Sequence, residues 1–251
     1  MRAEVPDWVA LVALGLVMGS FLGVVVRRLP AQADFVFGRS QCPACGARLA
    51  ARDLVPLASW LALRGRCRHC RARIGLFYPG IELAAVAVAL SAATVASGWN
   101  LLATCLFGWT LLALALIDWR EFLLPDALTL PLIPAGLALA WLDAPETILD
   151  RVAGVAAGFS LFWLIAAGYR RWRGRDGLGR GDIKLMAGLG AWVGASGVPS
   201  LMLAAALLAL AVTLIRRAFG ERLTAVDRIP FGPYLAAAAW VVWLCGPLIG
   251  S

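Results

Sequence analysis

Apolar runs constrain this chain more than any other feature. Eight of them, at about 8–26, 81–97, 100–117, 127–142, 152–169, 183–198, 200–215 and 230–249, account for most of the 251 residues. Several approach or exceed the roughly 18–20 apolar residues that cross a bilayer. The chain is 61% hydrophobic with a mean hydropathy of +0.81, which excludes an ordinary soluble domain. Backbone polar groups in lipid must be satisfied within the segment, and each run has helix length. The expected fold is therefore all-α: a polytopic membrane bundle of about eight transmembrane helices.

Charge orients it. If the first run exits into the cytoplasm, both termini lie outside, and of 23 Lys and Arg residues only Arg2 and Arg151 do. The outer connections "SGWN", "LDAPETILD" and "SGVP" contain no Lys or Arg. This is the positive-inside asymmetry of an inner-membrane protein, so the formal charge of +8 reports topology. A nucleic-acid footprint would need a basic face on a soluble domain, and nucleic acid is excluded as a partner. Ala31-Gln32-Ala33 resembles a signal-peptidase site, but Arg27 and Arg28 follow the apolar run instead of preceding it. The first run is expected to stay as a helix.

The largest polar stretch, 27–80, holds "CPACGARL" and "CRHCRARIG". Cys42, Cys45, Cys67 and Cys70 form two C-x2-C pairs separated by 21 residues. Four thiolates on two such knuckles suit tetrahedral Zn²⁺. Disulfides fit poorly in a reducing cytoplasm, where the charge pattern puts this loop. His69 is a spare donor, since four cysteines complete the shell. So small a domain has little core, and the metal would supply much of its folding energy. Cys105 and Cys245 sit singly in apolar helices, as small packing residues do.

Carboxylates near apolar spans are costly and are functional candidates by default. Asp118, in "IDWREFLLPD", closes the third run; Asp182, in "GLGRGD", opens the sixth. Between them lies an out-and-back pair of runs, which returns both carboxylates to one membrane face. Two carboxyl groups brought together there share a proton, leaving one acid and one base to activate water. Gly177, Gly179 and Gly181 would let the backbone approach an extended substrate beside Asp182. Taken alone, Asp182 is equally a helix-capping residue. Asp126, in "LPDALTL", reads as the cap region of the fourth run. Asp53, Asp176 and Glu121 read as solvated loop charges.

Ordered along the chain, "GSFLGVVVRRLP" (19–30), the cysteine pairs, "YPGIEL" (78–83), "IDWREFLLPDALTLPL" (117–132), "GLGRGDIKLMAGLGAW" (177–192) and "IPFGPYLA" (229–236) resemble the bacterial prepilin leader peptidases. These are membrane aspartic peptidases of type IV pilus and type II secretion systems. The resemblance implies that Asp118 and Asp182 are the catalytic pair, with "GRGD" as the G-x-G-D motif. It implies cleavage of a short basic leader after a Gly, in prepilin and pseudopilin partners, at the cytoplasmic membrane face. It further implies N-methylation of the new terminus from S-adenosylmethionine, an activity that usually accompanies the tetra-cysteine loop. No Gly-rich nucleotide fingerprint identifies residues for that donor. Where the family usually has Asn, this chain has Gly23, which bears more on methylation than on cleavage. Glu82 either lines a substrate or methyl-donor site or partners the Arg-rich loop.

The organisation expected is a first transmembrane helix (1–26), a cytoplasmic tetra-cysteine loop domain that binds zinc (27–80) and a membrane aspartic peptidase core (81–251). Two other classes compete. A membrane thiol oxidoreductase needs its cysteines on the oxidising side, opposite to where the arginines put them. A carboxylate transporter or proton channel would show repeats and broken helices at the midplane. The sequence has no clear repeat, and both aspartates lie at the ends of runs.

Overall fold

A computed structural model describes residues 7–32, 38, 40–175, 177–221 and 229–248 of the protein. Among the described residues the structure is helical, with two isolated antiparallel bridges and no strand. The chain divides into two compact units, Met1–Ala113 and Leu114–Ser251.

The first unit contains α1 (Asp7–Arg28), the cysteine-bearing loop with its short α2 (Ala58–Ala62), and α3 (Phe77–Ala92). The helix α4 (Gly98–Glu121) begins here and ends in the second unit. Gly15, Gly19 and Gly23 form a stripe on α1, and α3 passes it in the opposite direction. A Cβ at Gly15 would meet the Val86 Cα at 2.8 Å, one at Gly19 would collide with the Glu82 Cα, and one at Gly23 would meet the Tyr78 ring at 3.2 Å. Small residues at four-residue intervals let two backbones touch, which is how helices associate where lipid supplies no hydrophobic drive. Large side chains point the other way: Val17 and Phe21 are exposed. On α4, the buried Trp109 donates its indole N–H to the Ala85 carbonyl of α3 at 2.9 Å. Cys105, also on α4, is buried as expected.

The second unit comprises the end of α4, then α5 (Asp126–Thr129), α6 (Leu132–Asp143), α7 (Ile148–Arg173), α8 (Arg180–Ala218) and α9 (Gly232–Cys245). Helices α7 and α8 repeat the same device. Gly154 and Gly190 lie so close that a Cβ on either would strike the other's carbonyl oxygen, and Gly158 abuts the Met186 carbonyl. Residues 203, 207, 210 and 214 of α8, all leucine, are exposed along its later turns. Cys245, expected as a packing residue, ends α9 and is exposed.

The sixth and seventh apolar runs are divided at a different place from the one expected. Residues 183–198 and 200–215 join in α8, and the connection expected at "SGVP" is helical. The backbone leaves the helix instead at Gly194 (φ 75°, ψ 172°). A straight helix of 39 residues would run about 58 Å, roughly twice a bilayer's hydrocarbon thickness, so a break is needed. The Asp150 carboxylate fills the place a side chain at Gly194 would take, and it accepts the Ser196 N–H at 3.4 Å. Among the described residues five segments are long and apolar enough to cross a membrane: α1, α4, α5 with α6, α7 with its leading turn, and α8. Helices α3 and α9 are apolar but shorter. Pro131 divides the fourth run into α5 and α6.

Candidate active site and cysteine cluster

Asp118 sits in the last turn of α4 and is 6% exposed; Asp182 sits in the first turn of α8 and is 9% exposed. The second unit brings them together closely enough for their charges to interact. Asp118 Oδ2 accepts the N–H of Gly232 at 2.9 Å, so the start of α9 points a backbone donor at it. A Cβ at Gly232 would meet that same oxygen at 2.7 Å, hence the glycine. Asp182 Oδ2 reaches back to the N–H of Gly179 at 3.1 Å, which closes the first turn of α8. Its capping role and its place in the pair are therefore compatible. What such an arrangement can do chemically is hold two carboxyl groups, each steered by one glycine amide, on either side of a water.

The glycines of "GLGRG" approach the protein's own side chains. A Cβ at Gly177 would strike the Tyr169 ring, one at Gly179 would meet Asp182 Oδ2 at 3.0 Å, and one at Gly181 would meet Leu124 Cβ at 2.9 Å. Asp126 is the first residue of α5, and no side-chain cap bond forms there. Both its oxygens instead accept from Lys184 Nζ at 2.8 Å. Neither this pair nor the role of Gly232 was read from the sequence. Lone charges beside apolar runs were the available signal for the first, and the recurring "IPFGPYLA" stretch for the second.

Glu82 is buried, and its Oε2 accepts the Leu57 N–H at 2.8 Å. It does tie the loop to α3, through a backbone amide rather than an arginine. Asp53, expected as a solvated charge, accepts from Arg68 Nε at 2.7 Å and from the Ala50 N–H at 3.3 Å. The Arg68 guanidinium holds its carboxyl below the ordinary range. Glu121 is exposed as expected, and Asp176 lies outside the described residues.

The two cysteine pairs are built on one template. Cys42 N–H donates to Ala47 and Cys67 N–H to Ala72, both at 2.9 Å, and a bridge closes each knuckle, 41 with 48 and 66 with 73. The sulfurs of Cys42, Cys45, Cys67 and Cys70 lie within 4.8 Å of one another, and His69 is not among the group. Cys42 and Cys70 are 3.8 Å apart, the edge expected when sulfurs sit about 2.3 Å from a tetrahedral ion. The N–H groups of Ala44 and Cys45 hold the Cys42 thiol down to about 7, and those of Cys70 and His69 lower Cys67. Turn amides thus favour thiolate at the first cysteine of each pair, as a metal knuckle needs, while the neighbouring Cys70 and Cys42 sulfurs push Cys45 up to about 11. The four cysteines could hold a metal ion.

Residues 13–96 match the Bacterial Peptidase A24 N-terminal domain, and residues 105–214 match the Type IV leader peptidase family. An Aeromonas hydrophila protein, named prepilin leader peptidase/N-methyltransferase, is 38% identical over 263 positions covering 93% of this chain and 89% of its own. The chain belongs to the type IV leader peptidase family. Family members of the same name from Burkholderia pseudomallei and Neisseria gonorrhoeae are 41% and 34% identical. They cover 90% and 92% of this chain, and 81% and 87% of their own. No solved structure matches the chain. Asp118 and Asp182 both fall in the leader peptidase segment, and the four cysteines fall in the N-terminal one.

Proposed function

We propose that the protein is a membrane aspartic peptidase that removes the basic leader of prepilins and pseudopilins after a Gly, with Asp118 and Asp182 as its catalytic pair. The observation that carries this is the juxtaposition of two buried carboxylates at the end of α4 and the start of α8. With one proton between them, the ionised carboxylate takes a proton from water as its oxygen adds to the scissile carbonyl carbon. The protonated partner gives its proton to the carbonyl oxygen. The tetrahedral adduct then collapses: the C–N bond breaks, the leaving nitrogen takes the proton drawn from water, and an adduct hydroxyl returns its proton to the other carboxyl as the C=O re-forms, so one carboxyl is again protonated. Glycine amides at both carboxylates leave the pair little freedom to turn, which is where an oriented acid and base gain most.

The distribution of arginines supports a cytoplasmic site and loop, with both termini outside, in the inner membrane. On this reading 1–26 is an anchoring helix, 27–80 a cytoplasmic domain and 81–251 the peptidase core. Zn²⁺ is the metal that four cysteines at these separations suit, and Cys42, Cys45, Cys67 and Cys70 would hold it as a structural ion.

The second activity, N-methylation of the new terminus with S-adenosylmethionine as donor, rests on the names of the relatives. Glu82 is engaged with Leu57, and Gly23 abuts the Tyr78 ring. No step of methyl transfer is assigned to residues of this chain.

The test is intact mass spectrometry of a synthetic prepilin incubated with the purified protein and S-adenosylmethionine. Wild type should remove the leader and add one methyl mass, and Asp182→Asn should do neither on uncut substrate. Cleavage by folded Asp182→Asn would remove that residue from the mechanism. Absence of zinc in wild type by metal analysis would sink the assignment of the cysteines.

A further inference from the structure

One stripe of α8 packs on the chain between residues 124 and 136. Gly181 lies against Leu124, and Lys184 binds both oxygens of Asp126 at 2.8 Å. Gly188 lies against Leu132 and the Thr129 carbonyl, and the Trp192 indole N–H donates to the Leu132 carbonyl at 2.9 Å. The spacings 181, 184, 188 and 192 are those of a single helix face. The contacts at 188 and 192 are buried: Thr129 is inaccessible, and Leu132 and Trp192 nearly so. Lys184 and Asp126 differ, with side chains 40% and 56% exposed. An ion pair that open is screened by water and salt and contributes little to stability. Something other than stability must account for the chain's one lysine, placed two residues after Asp182.

We infer that Lys184 and Asp126 are a positioning pair that fixes the register of the first turn of α8, and with it the direction in which Asp182 presents its carboxylate to Asp118. The inference rests on the reading of Asp118 and Asp182 as the catalytic pair. The first turn of a helix lacks intrahelical partners for its N–H groups and frays. Each residue of slip turns a helix by about 100°, so a small unwinding there aims Asp182 away from its partner. Gly181 packs closely on Leu124, and the Gly179 N–H bonds Asp182 within the turn itself. The Lys184 ammonium adds a directional tie to the segment that leaves Asp118, eight residues downstream.

The experiment measures kcat and KM for cleavage of a synthetic prepilin by full-length protein in detergent. The variants are Lys184→Met, Lys184→Arg, Asp126→Asn, the reversal Lys184→Asp with Asp126→Lys, and Asp182→Asn. Lys184→Met and Asp126→Asn should each lower kcat by about fivefold, the most that an exposed ion pair can hold in place, with KM within about twofold. Their melting temperatures should stay close to wild type. Lys184→Arg should remain within about twofold, and the reversal should recover most of the loss seen in either single variant. Raising salt should lower wild-type kcat towards that of Lys184→Met, a reading that needs no variant beyond wild type if the others fail to fold. Both single variants within twofold of wild-type kcat would overturn the inference. So would a rise in KM at unchanged kcat, which would move Lys184 to substrate binding. Cleavage by Asp182→Asn removes the dyad reading itself, and the inference falls with it.

Discussion

In the first unit a glycine stripe on α1 brings α3 so close that the Glu82 Cα lies on Gly19; in the second, α7 and α8 meet in the same way at Gly154 and Gly190. Both units thus gain backbone contact from small residues, and both bury carboxylates beside it. The uses differ. Glu82 gives its oxygen to Leu57, a residue at positive φ (55°) that opens α2, so the carboxylate secures a strained turn of the loop. Asp118 and Asp182 each take one glycine N–H, and their charges interact. A buried carboxylate bound to the backbone of a loop is a fastener. Two whose charges interact, each steered by one glycine amide, are candidates for chemistry.

The sharpest way to break this contrast is to neutralise each kind. Asp118→Asn or Asp182→Asn should lower cleavage by about 10⁴-fold or more, as when a unit-acting catalytic group is lost, with the melting temperature unchanged. Glu82→Ala should do the reverse: cleavage stays within a few-fold, while the unit loses about 2 kcal/mol, the cost of removing a charged hydrogen-bond partner. Parallel cleavage assays and thermal unfolding in detergent check both. A Glu82→Ala protein that folds normally but does not cleave would erase the distinction.

Metal removal separates the units next. On the proposed zinc reading, Cys42→Ser should release the ion and cost about 4 kcal/mol, because a metal rather than a core would hold the two knuckles together. Metal content and loop proteolysis should change together, with cleavage far less affected than in the aspartate variants. Equal loss of cleavage would tie the loop to peptidase chemistry and join what the comparison divides.

Space is the next discriminator among the glycines. Gly190→Val would drive a side chain into the Gly154 carbonyl, backbone that cannot move aside, and should cost about 3 kcal/mol. Gly23→Ala meets a tyrosine ring at 3.2 Å, which can shift by a few tenths of an ångström, and gains up to about 1 kcal/mol in helix propensity. It should be nearly neutral by thermal unfolding. A strongly destabilised Gly23→Ala protein would show that Tyr78 is held as rigidly as the second unit's backbone.

Much of this was legible in the sequence, for identifiable reasons. Apolar length gave the helices, and the return of an out-and-back hairpin placed Asp118 with Asp182. The C-x2-C spacing gave the cluster. The break in α8 was misplaced because Pro199 and "SGVP" look like a turn, whereas the second helical stretch carries that proline near its start. Gly194 needed the positive φ, and composition alone does not distinguish it from the glycines around it. The four-residue glycine spacings at 15, 19 and 23, at 154 and 158, and at 190 and 194 were visible signals of packing. The Lys184–Asp126 pair was not, since it joins residues 58 apart through exposed side chains, on which hydrophobic periodicity is silent.

A glycine can also be required for conformation instead of space, and the cysteine knuckles separate the two. Gly46 stands at φ 70° with nothing within 4 Å of an added Cβ, while its counterpart on the second knuckle is Arg71, at φ 61°. A non-glycine residue in that region costs about 1–2 kcal/mol in the folded state. Glycine there costs about 0.4–1 kcal/mol through the freedom it gives the unfolded chain. The first term is the larger, so Arg71→Gly should stabilise the metal-loaded loop by about 0.5 kcal/mol, and Gly46→Ala should destabilise it by about 1 kcal/mol. Melting curves of metal-loaded full-length protein would resolve the opposite signs. Destabilisation by Arg71→Gly would mean that the arginine side chain does more for the second knuckle than its backbone strain takes away.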